Sequence, residues 1–195
     1  MVMKHYSEDT ISKIGNTVVY LSERIPNLSK TKILKLLYLI EEHSAIKNNT
    51  PFFGINFEVW QAGPVAKDFY IDLSDDEPVL LRNFITKTDE SGSTYIHSKT
   101  PFCDDEFSDN DIELLDEVIR KFGNKTATQL VELTHNENSA WYCIAKDNEL
   151  LDDFTNGKKN HSDKEIDFTY YLSGCSAERY LENKETSEMF ESLKY

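Results

Sequence analysis

The apolar positions mark off the elements. Ile11, Ile14, Val18, Leu21 and Ile25 recur at steps of three and four, the period of one helix face. Ser7 stands where an N-cap belongs, and Pro26-Asn27 stops the helix. Ser29 opens a second helix, predicted to reach about Lys47. In it Ile33, Leu36, Leu37 and Ile40 form one stripe, while Leu34, Tyr38 and Ala45 cover another side. A helix apolar on most of its girth belongs in the core. After the turn Asn48-Asn49-Thr50-Pro51 the period changes to two. Phe53, Ile55, Phe57 and Val59 alternate with Asn56 and Glu58, which predicts a strand over residues 53–60. Gly63-Pro64 breaks the chain, and Pro64 suits the first position of a short helix to about Leu73.

Asp75-Asp76-Glu77-Pro78 reads as an acidic turn. Residues 79–86 and 93–98 flank Asp89-Glu90-Ser91-Gly92, as a strand pair or as a short helix and a strand. Ser108 with Asp111 makes a capping box before Ile112, Leu115, Val118, Ile119 and Phe122, and Gly123 ends that helix. Thr126 with Gln129 opens another through Leu130 and Leu133, and Ser139 caps a third around Trp141 and Ile144. Residues 147–163 are polar and predict a loop. Ser162 with Glu165 resembles a further capping box before Ile166 and Tyr170. Ser173-Gly174 is a break, and the last stretch is a docked helix or a frayed tail. The fold class expected is mainly α (α+β): a compact helical domain with a small antiparallel sheet or hairpin. Residues 1–146 form the domain. Residues 147–195 form a C-terminal extension, a polar loop plus a helix, packed on the same domain.

Composition adds limits. A chain of 195 residues, 39% hydrophobic and 29% charged, buries enough surface for a core without staples. The net charge of −14 weighs against a nucleic-acid backbone or an anionic membrane as main partner. That charge is uneven. Residues 1–70 carry 8 Lys/Arg and 7 Asp/Glu, and the remainder carries 13 and 28. The acidic part is a solubilising surface or a face for a basic partner. Cys103, Cys143 and Cys175 have no paired spacing, which fits reduced, inert thiols of a cytoplasmic protein. Residues 1–25 lack a secretory pattern, and residues 33–40 are too short to span a bilayer.

Catalytic motifs do not emerge. The seven glycines form no phosphate loop, and neither H-E-x-x-H nor G-x-S-x-G occurs. Glu41-Glu42-His43 reads as an exposed helix end, because helix neighbours point in different directions. His135, near Glu137, is expected to hold a structural hydrogen bond, and nothing flanking Cys143 marks an activated thiol. Asp75-Asp76-Glu77 and Asp104-Asp105-Glu106 lack the spacing of a calcium loop. No metal or cofactor is expected. The first two helices have a helix-turn-helix outline, with Lys30, Lys32 and Lys35 at the start of the second. A recognition helix needs an exposed polar face, and this one is apolar on most sides.

Three segments carry a family resemblance. They are Lys35-Leu36-Leu37-Tyr38; Gly54-Ile55-Asn56-Phe57-Glu58-Val59-Trp60 running into Gly63-Pro64-Val65; and Leu133-Thr134-His135 followed by Trp141. Their order and spacing resemble the SocA-like antitoxin Panacea domain family, which includes phage-associated proteins of GepA type, over about residues 10–146. Ala62 and Ala140 depart from the family pattern locally. The resemblance implies a protein-binding module and not an enzyme: an antitoxin that neutralises a cognate protein toxin encoded beside it. An adaptor that delivers its partner to a protease, or a phage-associated regulator, is the alternative it implies. A homodimer stays open. Phe57, Trp60, Gly63, Pro64 and Val65, with Leu133, Thr134, His135 and Trp141, match the motif and read as scaffold more than toxin contact. Asp104, Asp105, Glu106, Asp109 and Asp111 are the acidic residues expected to face a partner.

Overall fold

Helix α2 (Lys30–Asn48) is the axis on which the other elements pack. Every residue from Lys32 to Glu41 is buried, so this helix has no solvent face along its middle. The computed structural model describes residues 5–193; residues 1–4 and 194–195, the outermost ends of the two predicted parts, lie outside it. Ser29 caps α2, its Oγ accepting the Lys32 N–H, and Asn49 ends it in the left-handed region at φ 54°. Helix α1 (Glu8–Arg24) is capped by Ser7 in the same way and lays Ile14, Val18 and Leu21 into the core. The pair has the predicted boundaries because caps and periodicity are local signals.

Helix α4 (Asp109–Phe122) packs on α1 and α2, and α5 (Ala127–Thr134) packs on α2. Both begin with the predicted capping boxes, Ser108 with Asp111 and Thr126 with Gln129. Helix α6 (Ala140–Asp147) is capped by Ser139. The fold is mostly helical with two small antiparallel two-stranded sheets among the described residues.

The first sheet departs from expectation. Residues 53–59 alternate as predicted, with Phe53, Ile55, Phe57 and Val59 buried. The ladder, however, is confined to β1 (Glu58–Trp60) against β2 (Gly63–Val65). Pro64 lies in the middle of β2 and not at the start of a helix; α3 (Lys67–Ser74) begins three residues later. The reason is register. Val59 faces Pro64 across the pair, and its N–H points away, donating to the Lys164 carbonyl at 2.7 Å. Pro64 therefore loses no ladder bond for want of an N–H.

Residues 164–166 flank β1 on its other side: Ile166 N–H donates to the Phe57 carbonyl at 2.7 Å. The capping box expected at Ser162 and Glu165 is accordingly absent. Ser162 Oγ donates to the Val59 carbonyl, Glu165 bridges Glu58, and a single 3-10 turn (Phe168–Tyr171) follows, capped by Asp167. The loop expected over residues 147–163 contains α7 (Leu150–Thr155), which buries Leu150 and Phe154. Its two apolar anchors lie four apart, too few to stand out among polar neighbours.

The second sheet is the strand-pair alternative, β3 (Ile85–Glu90) with β4 (Ser93–Ser98), its first strand starting later than residue 79 and running through Asp89-Glu90. Ser91 and Gly92 both have positive φ, 51° and 79°, the requirement of a two-residue turn matched to strand twist. Helix α8 (Cys175–Ser192) ends the described fold. Only Tyr180 of its residues is buried. Phe154, Ile166, Phe168 and Tyr180 belong to the same core cluster as the α2 residues.

Candidate functional site

The tight turn between β1 and β2 gathers side chains from three distant segments. Lys35 on α2 donates from Nζ to the Pro64 carbonyl at 2.8 Å. Trp141 on α6 donates from Nε1 to the Trp60 carbonyl at 2.9 Å. His135, the C-cap of α5, places Nδ1 2.6 Å from the Val131 carbonyl and Nε2 2.9 Å from the Gln61 carbonyl. Its ring lies 4.0 Å from that of Trp141. The residues singled out in three separate stretches of sequence thus hold one turn.

Gly63 is the tightest point. It has φ +93°, and a Cβ there would lie 2.8 Å from Thr134 Oγ1 and 2.9 Å from Lys35 Nζ. Only glycine satisfies both the angle and the space. Thr134 is itself buried, its Oγ1 donating to the Val131 carbonyl. Val65, Leu37 and Phe57 are buried in the core, Leu133 packs against its edge, and Tyr38 stacks edge-on to Phe57 at 5.6 Å. Tyr38 also donates to Glu42 at 2.9 Å and meets the Tyr171 hydroxyl at 3.3 Å.

Lys35 is only 1% exposed. Burial pushes its amine down to about 7, because the charged form is poorly solvated inside. Its Nζ hydrogen-bonds to a backbone carbonyl. Lys32 is also buried, donating to the Gly123 carbonyl at 2.6 Å, and Lys30 donates to Ser74 Oγ. Two of the three lysines at the start of α2 therefore face inward, which removes the basic surface a DNA-reading helix needs.

Glu41 corrects the expected exposed helix end. It is buried, and its two carboxylate oxygens accept the N–H groups of Phe52 and Phe53 at 3.1 and 2.8 Å. Burial raises it to about 7 against the pull of those bonds and of Lys13 and Lys184. Asp72 does similar work after α3, accepting from Val79, Leu80 and Leu81 at 2.6, 2.8 and 3.0 Å. Sequence reasoning missed both. The signal was faint: a carboxylate late in a helix, followed by an apolar pair that must turn back on it.

The acidic run is placed differently. Asp104, Asp105 and Asp109 are exposed and Glu106 is half-buried. Asp111 belongs to the capping box with Ser108 and pairs with Lys13 at 3.4 Å. His43 sits against Phe122 and Lys121, apart from the partners of His135. Among the described residues no three His, Cys, Asp or Glu side chains are grouped to hold a metal ion, and no helix is long and apolar enough to cross a membrane. Cys103, Cys143 and Cys175 are free thiols.

The chain is similar to Antitoxin SocA of Caulobacter vibrioides (strain NA1000 / CB15N), 29% identical over 119 residues. That alignment covers 60% of this chain and 60% of the relative. No solved structure matches. The sequence model of the Antitoxin SocA-like, Panacea domain family matches residues 33–142, a stretch that holds most of α2, the β1–β2 turn, α5 and Trp141. With more than half of its length matched, the chain belongs to the SocA-like Panacea domain family of antitoxins.

Proposed function

We propose that the chain is an antitoxin that neutralises a cognate protein toxin by direct binding. The observation that carries this is the family match over residues 33–142, supported by the relative named Antitoxin SocA. A binding module also suits the motif's chemistry. Its side chains hydrogen-bond to backbone carbonyls of one turn, an arrangement that fixes shape and leaves the outer surface to meet a partner.

The exposed acidic entry to α4 is one face for that partner. Toxins that act on RNA or nucleotides carry basic sites, and opposite charge speeds and orients association. Asp111 is excluded from the test because it holds the helix start. Reversing Asp104, Asp105, Glu106 and Asp109 together is expected to weaken growth rescue when the chain is co-expressed with the toxin encoded beside it. Full rescue by the folded quadruple variant would remove this face from the interface.

A second reading is an adaptor that passes the bound partner to a protease. Helix α8 favours it: Leu181, Met189, Phe190 and Leu193 are exposed, while the helix is held by buried Tyr180 and by Glu191, which accepts from the Ser7 hydroxyl at 2.8 Å. Removing residues 185–195 spares Tyr180 and gives up the Glu191–Ser7 bond. The adaptor reading expects such a truncation to lengthen the partner's lifetime in cells without loss of binding; unchanged turnover would reject it.

A further inference from the structure

The charge around the β1–β2 turn runs against that of the whole chain. A hollow of about 930 Å³ lies beside it, lined by Lys67, Lys158, Lys159 and Lys164 against two carboxylates, Glu58 and Asp163. A second hollow of about 290 Å³ has Lys35 in its wall together with the rings of Trp60, Tyr70 and His161. Gln61, Asn160 and His161 line both, so the two hollows adjoin across these residues, side by side in one depression. A chain of net charge −14 thus concentrates five of its lysines at one place.

These lysines are not all neutralised from within. Lys67 reaches Glu58 at 3.5 Å and Lys159 reaches Asp153 at 2.7 Å. Lys158 and Lys164 make no ion pair within 4 Å among the described residues. Lys35 is enclosed, its Nζ bonded to the Pro64 carbonyl, and makes no ion pair within 4 Å among the described residues. The smaller hollow offers more than charge. Trp60 meets Tyr70 edge-on at 4.9 Å and lies 5.7 Å from His161, giving aromatic walls for an apolar side chain.

We propose that this depression receives an acidic segment of the partner protein, its carboxylates meeting Lys158 and Lys164 and an apolar side chain entering the aromatic pocket beside Lys35. The inference rests on the binding reading above and names the surface and the chemistry of the segment it takes. It differs from the acidic entry to α4, which would meet basic residues. It also gives the family motif a second use: the turn that Lys35, His135 and Trp141 hold in place forms the rim between the two hollows. Aromatic walls beside lysines also suit single-stranded RNA, but the overall charge opposes a phosphate backbone.

The test uses the full chain and the toxin encoded beside it. Purified complex is treated with a carbodiimide, which joins an amine directly to a carboxylate in contact with it, and the products are mapped by mass spectrometry. Links from Lys158 or Lys164 to toxin Asp or Glu are expected. Lys158→Glu with Lys164→Glu, both on exposed positions, is expected to weaken the complex at least about tenfold, with a smaller loss at high salt. Ala62→Trp, which fills the mouth of the smaller hollow, should also weaken it while leaving the melting temperature close to that of the parent. A complex that forms normally with both variants, or whose links run only from antitoxin Asp104–Asp109 carboxylates to toxin lysines, overturns the proposal and leaves the binding reading standing. Failure of any complex to form overturns both. Unchanged toxin binding with loss of retention of a labelled oligouridine would assign the depression to RNA instead.

Discussion

Gly63 concentrates the constraint of the whole site in one atom that is missing. Its φ of +93° is unfavourable for any side chain, and Thr134 and Lys35 already occupy the space a Cβ would take. Gly63→Ala should therefore cost at least about 2 kcal/mol of stability, read as a lower urea midpoint. Glu41 and Lys35 make opposite statements about pH. Glu41 is raised to about 7 by burial. The folded chain binds its proton more tightly than the unfolded chain, so this contribution is present below about pH 4.5 and is lost as pH rises to about 7. Glu41→Gln should flatten that part of the profile, and the difference between parent and variant should change by up to about 3 kcal/mol between pH 4.5 and 7.5. Lys35 is lowered to about 7. Its contribution is complete above about pH 10.5 and is lost as pH falls to about 7. Lys35→Met should thus gain on the parent as pH falls through that window, which denaturant titrations at several pH values would show.

At the scale of elements, local signals and paired signals part company. The starts of α1, α2, α4, α5 and α6 were legible because a Ser or Thr oxygen captures an N–H two or three residues ahead. The burial of α2 was legible from its apolar girth. The alternation around Phe57 was legible too, but its ladder was not, because half of the pairing comes from residues 164–166. Pro64 misled for the same reason: a proline opening a helix and a proline in a strand look alike until its neighbour is known. Helix α7 was hidden because Leu150 and Phe154 are its only buried residues. Helix α8 gives this scale its prediction. Tyr180 is its sole buried residue, so Tyr180→Ala should cost about 3 kcal/mol, whereas Phe190→Ala should change stability by less than about 0.5 kcal/mol. Amide exchange should be faster after residue 184 than around Tyr180.

For the whole molecule, the charge total hides its arrangement. The sequence divided it along the chain, near-neutral to residue 70 and acidic after it. The fold brings Lys158, Lys159 and Lys164, all from the acidic part, beside Lys35 and Lys67 from the near-neutral part. A chain with exposed acidic and basic regions should bind its partner with an affinity that falls as salt rises. An equilibrium constant for the toxin complex that stays flat between low and high salt would show that apolar contact dominates.

The sequence by itself determined the starts and caps of α1, α2, α4, α5 and α6, the core status of α2, the three motif segments and, through their order, the family. These depend on neighbours within a turn of helix or on residue identities in a row. Only the tertiary structure decided that those segments close on a single turn, that Glu41 and Asp72 tie loops back to their helices, and that lysines gather into one depression. Each of those requires residues far apart in the chain to meet, as Phe57 meets Ile166 and Lys35 meets Pro64. Periodicity reports which side of an element is buried, but it carries no information about what lies against it.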